Sequence, residues 1–334
     1  MKMKLKLCAA ILAASVTGAA NAGLVTEWTY VNQAGFSAWS PEATAGEDSL
    51  GNAQAMNSAG GSGTDLEDDA GNIIDTDLNG MINGDDDALN TSLAWGTPAN
   101  LSSDPRSSMH IDSPVEGTIV TGDTDYVDGT DITHENWIIV GDSLTSATVL
   151  DALALQPTAY NTYGSDEDDL LDNAPYFAPQ LQFGINFLET PNGDPENDGC
   201  PDGNAHGVGD NINGCGDIFE ITGLEAIPFL PVVGDDFIEF TVPFVLTDKN
   251  TGLPLAGWGD VVYLVTTRLS GLSTLSDNYT CANGAPTCYG FVTVEEQQNV
   301  LSAQFKIQAV PEPSTLAIFG LGMIGFGLAR RKKS

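Results

Sequence analysis

The stretch Ile238-Glu239-Phe240-Thr241-Val242-Pro243-Phe244-Val245-Leu246 decides the fold class. Ile238, Phe240, Val242, Phe244 and Leu246 occupy every second position, and a period of two places them on one face of an extended strand. The same alternation recurs at Leu181, Phe183, Ile185 and Phe187, and at Ala303, Phe305, Ile307 and Ala309. Further strands are expected at 24–31, 117–121, 137–140, 148–155, 218–221, 261–269 and 289–294. No comparable stretch of helical periodicity occurs between them. About ten short strands separated by Gly, Asn, Asp and Pro clusters predict an all-β body, a single β-sandwich of jelly-roll-like or Ig-like type with long acidic loops.

Outward from that body, the chain divides by composition. Residues 41–90 are rich in Gly, Ala, Asn and Asp and poor in large apolar side chains, which predicts a loop-rich insertion. A second turn-rich loop is expected between Thr190 and Gly216. The whole chain carries 46 Asp and Glu against 11 Lys and Arg, a formal net charge of −35. The bias is sharper within residues 23–309, which keep only Arg106, Lys249, Arg268 and Lys306 as basic residues while losing only Glu312 of the acids. Such a surface repels nucleic acid and anionic lipid and attracts cations.

The two ends read as targeting segments. Lys2, Lys4 and Lys6 precede the apolar run from Leu7 to Val16, and Ala20-Asn21-Ala22 supplies a small-x-small cleavage site, so residues 1–22 are expected to be a signal peptide. At the other end Pro311, Glu312 and Pro313 are followed by an apolar run and by Arg330-Arg331-Lys332-Lys333. The terminal position, the missing polar face and the block of cations predict a membrane helix at 315–329 with its basic end on the cytoplasmic side. Its glycines, Gly320, Gly322, Gly325 and Gly327, allow close helix approach.

Pro311-Glu312-Pro313, a short hydrophobic helix and an Arg-rich end, in that order, resemble the PEP-CTERM sorting signal of Gram-negative bacteria that make extracellular polysaccharide. The resemblance covers residues 310–334. It implies an exosortase as partner, a transient inner-membrane anchor, and a cell-surface or extracellular destination after processing. The body carries its own likeness: Thr133-His134-Glu135-Asn136 fits the Thr-His-x-Asn motif of the THxN family of PEP-CTERM proteins. Neighbouring segments agree with it: Leu93 to Pro98, Phe187 to Asn192, Cys215 to Phe219 and Cys288 to Glu295. This likeness spans roughly residues 90–309 and supplies a class without a reaction.

On an extended chain His134 and Asn136 face one side while Thr133 and Glu135 face the other. A hydrogen-bonded pair fastening the turn before Trp137 explains that arrangement, and a ligand or glycan contact is the competing reading. Four cysteines remain in the exported body, Cys200, Cys215, Cys281 and Cys288, and an even number in an oxidising compartment reads as disulfides. Three connectivities are open. The pairs Cys200–Cys215 and Cys281–Cys288 are favoured because each brackets a Gly/Asn/Pro-rich loop. The competitor is a zinc site built from Cys200, His206 and Cys215, although that spacing matches no zinc module.

Catalytic signatures are absent: no Gly-x-Ser-x-Gly elbow occurs, and His110, His134 and His206 are scattered. The expectation is a non-enzymatic structural or binding protein, with extracellular polysaccharide as a candidate partner. A carbohydrate-binding module or an envelope glycan hydrolase is the alternative, and Trp39, Trp95 or Trp258 aligned on one exposed sheet face would favour the module.

One stretch has the spacing of a cation loop. Asp75, Asp77, Asn79, the Met81 carbonyl, Asn83 and Asp86 fall at positions 1, 3, 5, 7, 9 and 12 of an EF-hand-type loop, with Gly80 at the sharp turn. Calcium is therefore an expected cofactor. The competing reading is chance, since a loop this rich in Asp, Asn and Gly generates such spacings.

Overall fold

The computed structural model describes residues 23–41, 54–55, 90–99, 105–161, 176–177, 181–192, 199–223, 231–234, 236–247, 253–255, 258, 261–276, 281 and 287–310. In chain order the strands begin with β1 (Val25–Ser40), β2 (Gln54–Ala55), β3 (Ser92–Trp95), β4 (Thr97–Pro98), β5 (Ser107–Asp112) and β6 (Val115–Val120). They continue with β7 (Val127–Asn136), β8 (Ile139–Val140), β9 (Ser146–Tyr160), β10 (Tyr176–Phe177), β11 (Leu181–Leu188) and β12 (Asp217–Thr222). Then come β13 (Val232–Val233), β14 (Phe237–Val245), β15 (Val262–Ser270), β16 (Ser273–Ser276), β17 (Thr287–Thr293) and β18 (Gln297–Val310). The only other regular element among the described residues is a 3-10 turn at Gly209–Asn211. The body is all-β, as the alternation predicts.

Two open antiparallel sheets carry nearly all of it. The first runs β16-β17-β12-β11-β9-β1-β6, with β10 also on β9; the second runs β13-β14-β15-β18-β7-β5-β3-β2, and β4 pairs with β8 apart from both. Their apolar rows face one another across a shared interior. Trp28 of β1 meets Tyr263 of β15 edge to face at 5.1 Å, and Tyr30 meets Phe305 of β18 at 4.7 Å. Edge-to-face contact suits the ring quadrupoles, and each such pair adds roughly 0.5–1.5 kcal/mol beyond its area.

Three long strands, β1, β9 and β18, run through two successive apolar clusters. Trp28, Leu155 and Ile307 belong to one; Phe36, Val149 and Leu301 belong to the other. Between them lies a buried polar seam. Asn32 donates to the Asp151 carboxylate and to the Ala152 carbonyl, and its own oxygen accepts from the Thr130 amide at 2.8 Å. Gly129 is needed beside it, because a Cβ there would come within 2.7 Å of Asn32 Oδ1 and 3.1 Å of the Ala303 carbonyl.

Burial raises the Asp151 pKa to about 6, against the downward pull of Asn32. The folded state then holds the proton more tightly than the unfolded chain does, so this group's stability is fully present below about pH 4 and is lost as pH rises through about 6. A shift of that size corresponds to about 3 kcal/mol. Asp151→Asn is therefore expected to stabilise the protein by 2 to 3 kcal/mol (order of magnitude) at pH 8 and by almost nothing near pH 4. Urea titrations of both proteins at the two pH values check this, and an equal difference at both would sink it.

Several expectations need correction. The strand expected at 137–140 shrinks to Ile139–Val140, and the long strand lies earlier, at β7. Its inward row, Thr130, Ile132, His134 and Asn136, is mostly polar and so gives no apolar alternation. Within the insertion expected at 41–90, Gln54 and Ala55 pair with β3 and Asn90 bridges Phe36. The expected signal peptide, the calcium loop at Asp75 to Asp86, Pro311 to Pro313 and the helix at 315–329 lie outside the described residues. No helix among the described residues is long and apolar enough to cross a membrane.

Candidate functional site

At one end of the first sheet, three aromatic rows give way to acids. β11, β12 and β17 are adjacent, in the registers Leu188↔Ile218 and Asp217↔Thr293. Alternation carries the inward face from Phe187 to Glu189, from Phe219 back to Asp217, and from Phe291 through Thr293 to Glu295. The strand ends therefore deliver three carboxylates to one place. One oxygen of each lies within 4.8 Å of the others, and Asp217 and Glu295 are 0% exposed.

These carboxylates have little to hold them. Asp217 Oδ1 accepts from the Thr190 amide at 2.9 Å, but Asp217 Oδ2 and both oxygens of Glu189 and of Glu295 have no hydrogen-bond partner. Burial, followed by the charge of Glu295, pushes Glu189 up, and burial followed by the charges of Glu189 and Glu295 pushes Asp217 well up. Burial also raises Glu295 to about 7, against the pull of the neighbouring Asn136. No lysine or arginine offsets them among the described residues. Unpaired buried charges are costly, so this cluster needs protons or a cation.

The second sheet supplies the wall opposite. His134 and Asn136 of β7 share the inward face, with Thr133 and Glu135 on the other, as the alternation requires. Their partners differ from expectation. His134 Nδ1 lies 3.1 Å from Thr293 Oγ1, and Asn136 Nδ2 reaches the Thr293 carbonyl at 3.4 Å and its hydroxyl at 3.3 Å. They join the two sheets, whereas the turn at Trp137 is fastened by Ser107, whose hydroxyl donates to the Trp137 carbonyl at 2.8 Å. The His134 ring stacks on Trp95 at 5.5 Å and meets Phe219 at 4.7 Å and Phe187 at 5.7 Å. Burial there lowers its pKa to about 3, so the imidazole is neutral. Asn136 Oδ1 and His134 Nε2 are buried without partners.

A loop closes the end. Cys200 and Cys215 are disulfide-bonded, and Thr190 donates its hydroxyl to the Cys215 carbonyl. Asn213 donates to the Glu295 carbonyl at 2.9 Å, and a Cβ on Gly214 would stand 3.0 Å from the Glu295 side chain. Cys281 and Cys288 form the second disulfide, beside β16 and β17. With Cys200 and Cys215 bonded to each other, the alternative zinc set with His206 loses two of its ligands.

Trp95, Phe187 and Phe219 thus enclose the His134 ring, Thr293 bonds both His134 and Asn136, and Glu295 adjoins Asn136. Reading by local spacing passed over Glu189, Asp217 and Glu295. The available signal was the alternation itself, continued past each apolar row.

Residues 309–332 match the family model of the PEP-CTERM protein-sorting motif. No curated protein matches the chain. The PEP-CTERM match begins on the last two residues of β18, so the body ends where the sorting segment starts. PEP-CTERM motifs address exported proteins of Gram-negative envelopes to exosortase, which makes exosortase a partner of this chain.

Proposed function

We propose that the body is a non-enzymatic structural or binding component of the bacterial envelope or extracellular matrix, delivered there by exosortase processing. The PEP-CTERM match at 309–332 carries the delivery step of this reading. The two facing antiparallel sheets support a single β-sandwich, and the likeness of the body to the THxN family belongs to the same proposal. Burial favours a structural part for that site: Asn136, Asp217 and Glu295 have no exposed surface on which a polymer could act. Trp95 and Trp258 are fully buried and Trp39 partly so, which takes these three tryptophans out of an exposed aromatic platform of the kind a carbohydrate-binding module presents. Extracellular polysaccharide as a partner and a calcium-bearing loop at Asp75 to Asp86 belong to the same proposal.

The test is processing. Deleting residues 316–334 is expected to send the body into the medium with no membrane-held precursor. Pulse labelling followed by fractionation measures it, and identical partitioning of full-length and truncated chains from the start of synthesis would overturn the sorting step.

A further inference from the structure

We propose that Glu189, Asp217 and Glu295 form a calcium site that ties together the ends of β11, β12 and β17, beside Asn136 of β7. Two independent observations meet here. One is the carboxylate trio, brought together by register from three distant parts of the chain, with ligand oxygens within 4.8 Å of one another. The other is burial without partners: Asp217 and Glu295 are 0% exposed, yet Asp217 Oδ2 and both oxygens of Glu295 have no hydrogen bond, and the buried Asn136 beside Glu295 likewise leaves its Oδ1 unpartnered.

The geometry suits an ion better than shared protons. Calcium binds oxygen at about 2.3–2.6 Å, so oxygens on opposite sides of one ion stand at most about 5 Å apart. The observed spacing lies inside that limit. A proton is shared by two oxygens at a time, whereas one ion meets an oxygen of all three carboxylates at once.

Chemistry narrows the choice further. All the donors are oxygen, which selects a hard cation, and a separation reaching 4.8 Å suits the 2.3–2.6 Å bonds of calcium better than the 2.0–2.1 Å bonds of magnesium, whose opposite ligands stand about 4 Å apart. Protein cations are engaged elsewhere among the described residues. Arg106 donates to the Ala94 and Gly96 carbonyls, Arg268 pairs with Glu239, and Lys306 lies over the Tyr126 ring at 4.3 Å. A divalent ion leaves one net negative charge on the trio.

The site is separate from Asp75 to Asp86, and the test keeps them apart. Calorimetry on the purified exported protein counts calcium equivalents for the unmutated chain, for Glu295→Gln, for Asp217→Asn, and for an Asp75→Ala, Asp77→Ala double variant. We expect each single variant to lose one equivalent and the double variant to keep it. Calcium at a hundred times its Kd should raise the Tm of the unmutated protein by roughly 5 °C or more, and of the single variants by less. Unchanged stoichiometry in both Glu295→Gln and Asp217→Asn overturns the proposal. If neither variant folds, terbium replaces calorimetry, because Trp95 adjoins Glu189 and would sensitise an ion bound there. Calcium-displaced terbium emission excited through tryptophan, lost in Trp95→Phe and kept in the double variant, then supports the site, and its absence overturns it.

Discussion

Replacing Phe219 with alanine is expected to lower the unfolding free energy by about 3–5 kcal/mol. The ring is fully buried on β12, the strand between β11 and β17. It stacks on Phe291 at 4.6 Å and 3°, lies 4.6 Å from Phe187, and meets His134 at 4.7 Å. Truncation removes the transfer energy of a large apolar group and leaves a cavity among partners on both sheets, which backbone pairing on either side of β12 keeps from collapsing. The same void would open beside Asp217, two residues away, and admit water towards its buried carboxylate. Phe219→Leu keeps most of the volume and should cost much less. Urea titration reads both, as a shift of midpoint at unchanged m-value. A loss below about 1 kcal/mol in the alanine variant would mean that the ring stack does not hold this end of the sheets together.

The strands were legible where one face is purely apolar. Leu181 to Phe187, Ile238 to Leu246 and Ala303 to Ala309 alternate cleanly, and β11, β14 and β18 lie there. β7 was not legible, because Thr130, Ile132, His134 and Asn136 face inward and two of the four exist to be hydrogen-bonded across the sheets. The disulfide pairs were legible from loop composition. The carboxylate trio was not, for a physical reason: Glu189, Asp217 and Glu295 are local neighbours of nothing informative, and the acids around them are many. Only the registers Leu188↔Ile218 and Asp217↔Thr293 bring them together, and register is a property of paired strands rather than of any window of sequence.

Converting both Cys200 and Cys215 to alanine is expected to cost about 3 kcal/mol, the closure entropy of a loop of this length. The bonded residues are 15 apart. The loop between them has almost no apolar anchor of its own, since Val208 and Ile212 are 55% and 54% exposed. What organises it is Asn211, which is buried, donates to the Asp202 carboxylate at 3.0 Å and accepts from the Gly216 amide at 2.8 Å. Those bonds presuppose a closed loop, so opening the disulfide releases them together and should bring the loss near its full value. The second pair, Cys281 and Cys288, spans only 7 residues, and its removal should cost less, about 2 kcal/mol. Because Gly216 leads directly into Asp217 and Asn213 holds the Glu295 carbonyl, opening the longer loop should also speed amide exchange at 213–217 well before global unfolding. Denaturation midpoints of the two double variants, with exchange measured on the first, check the ordering. Equal costs for the two disulfides, or undisturbed exchange at 213–217, would show that Asn211 and its partners close the loop without the sulfur bridge.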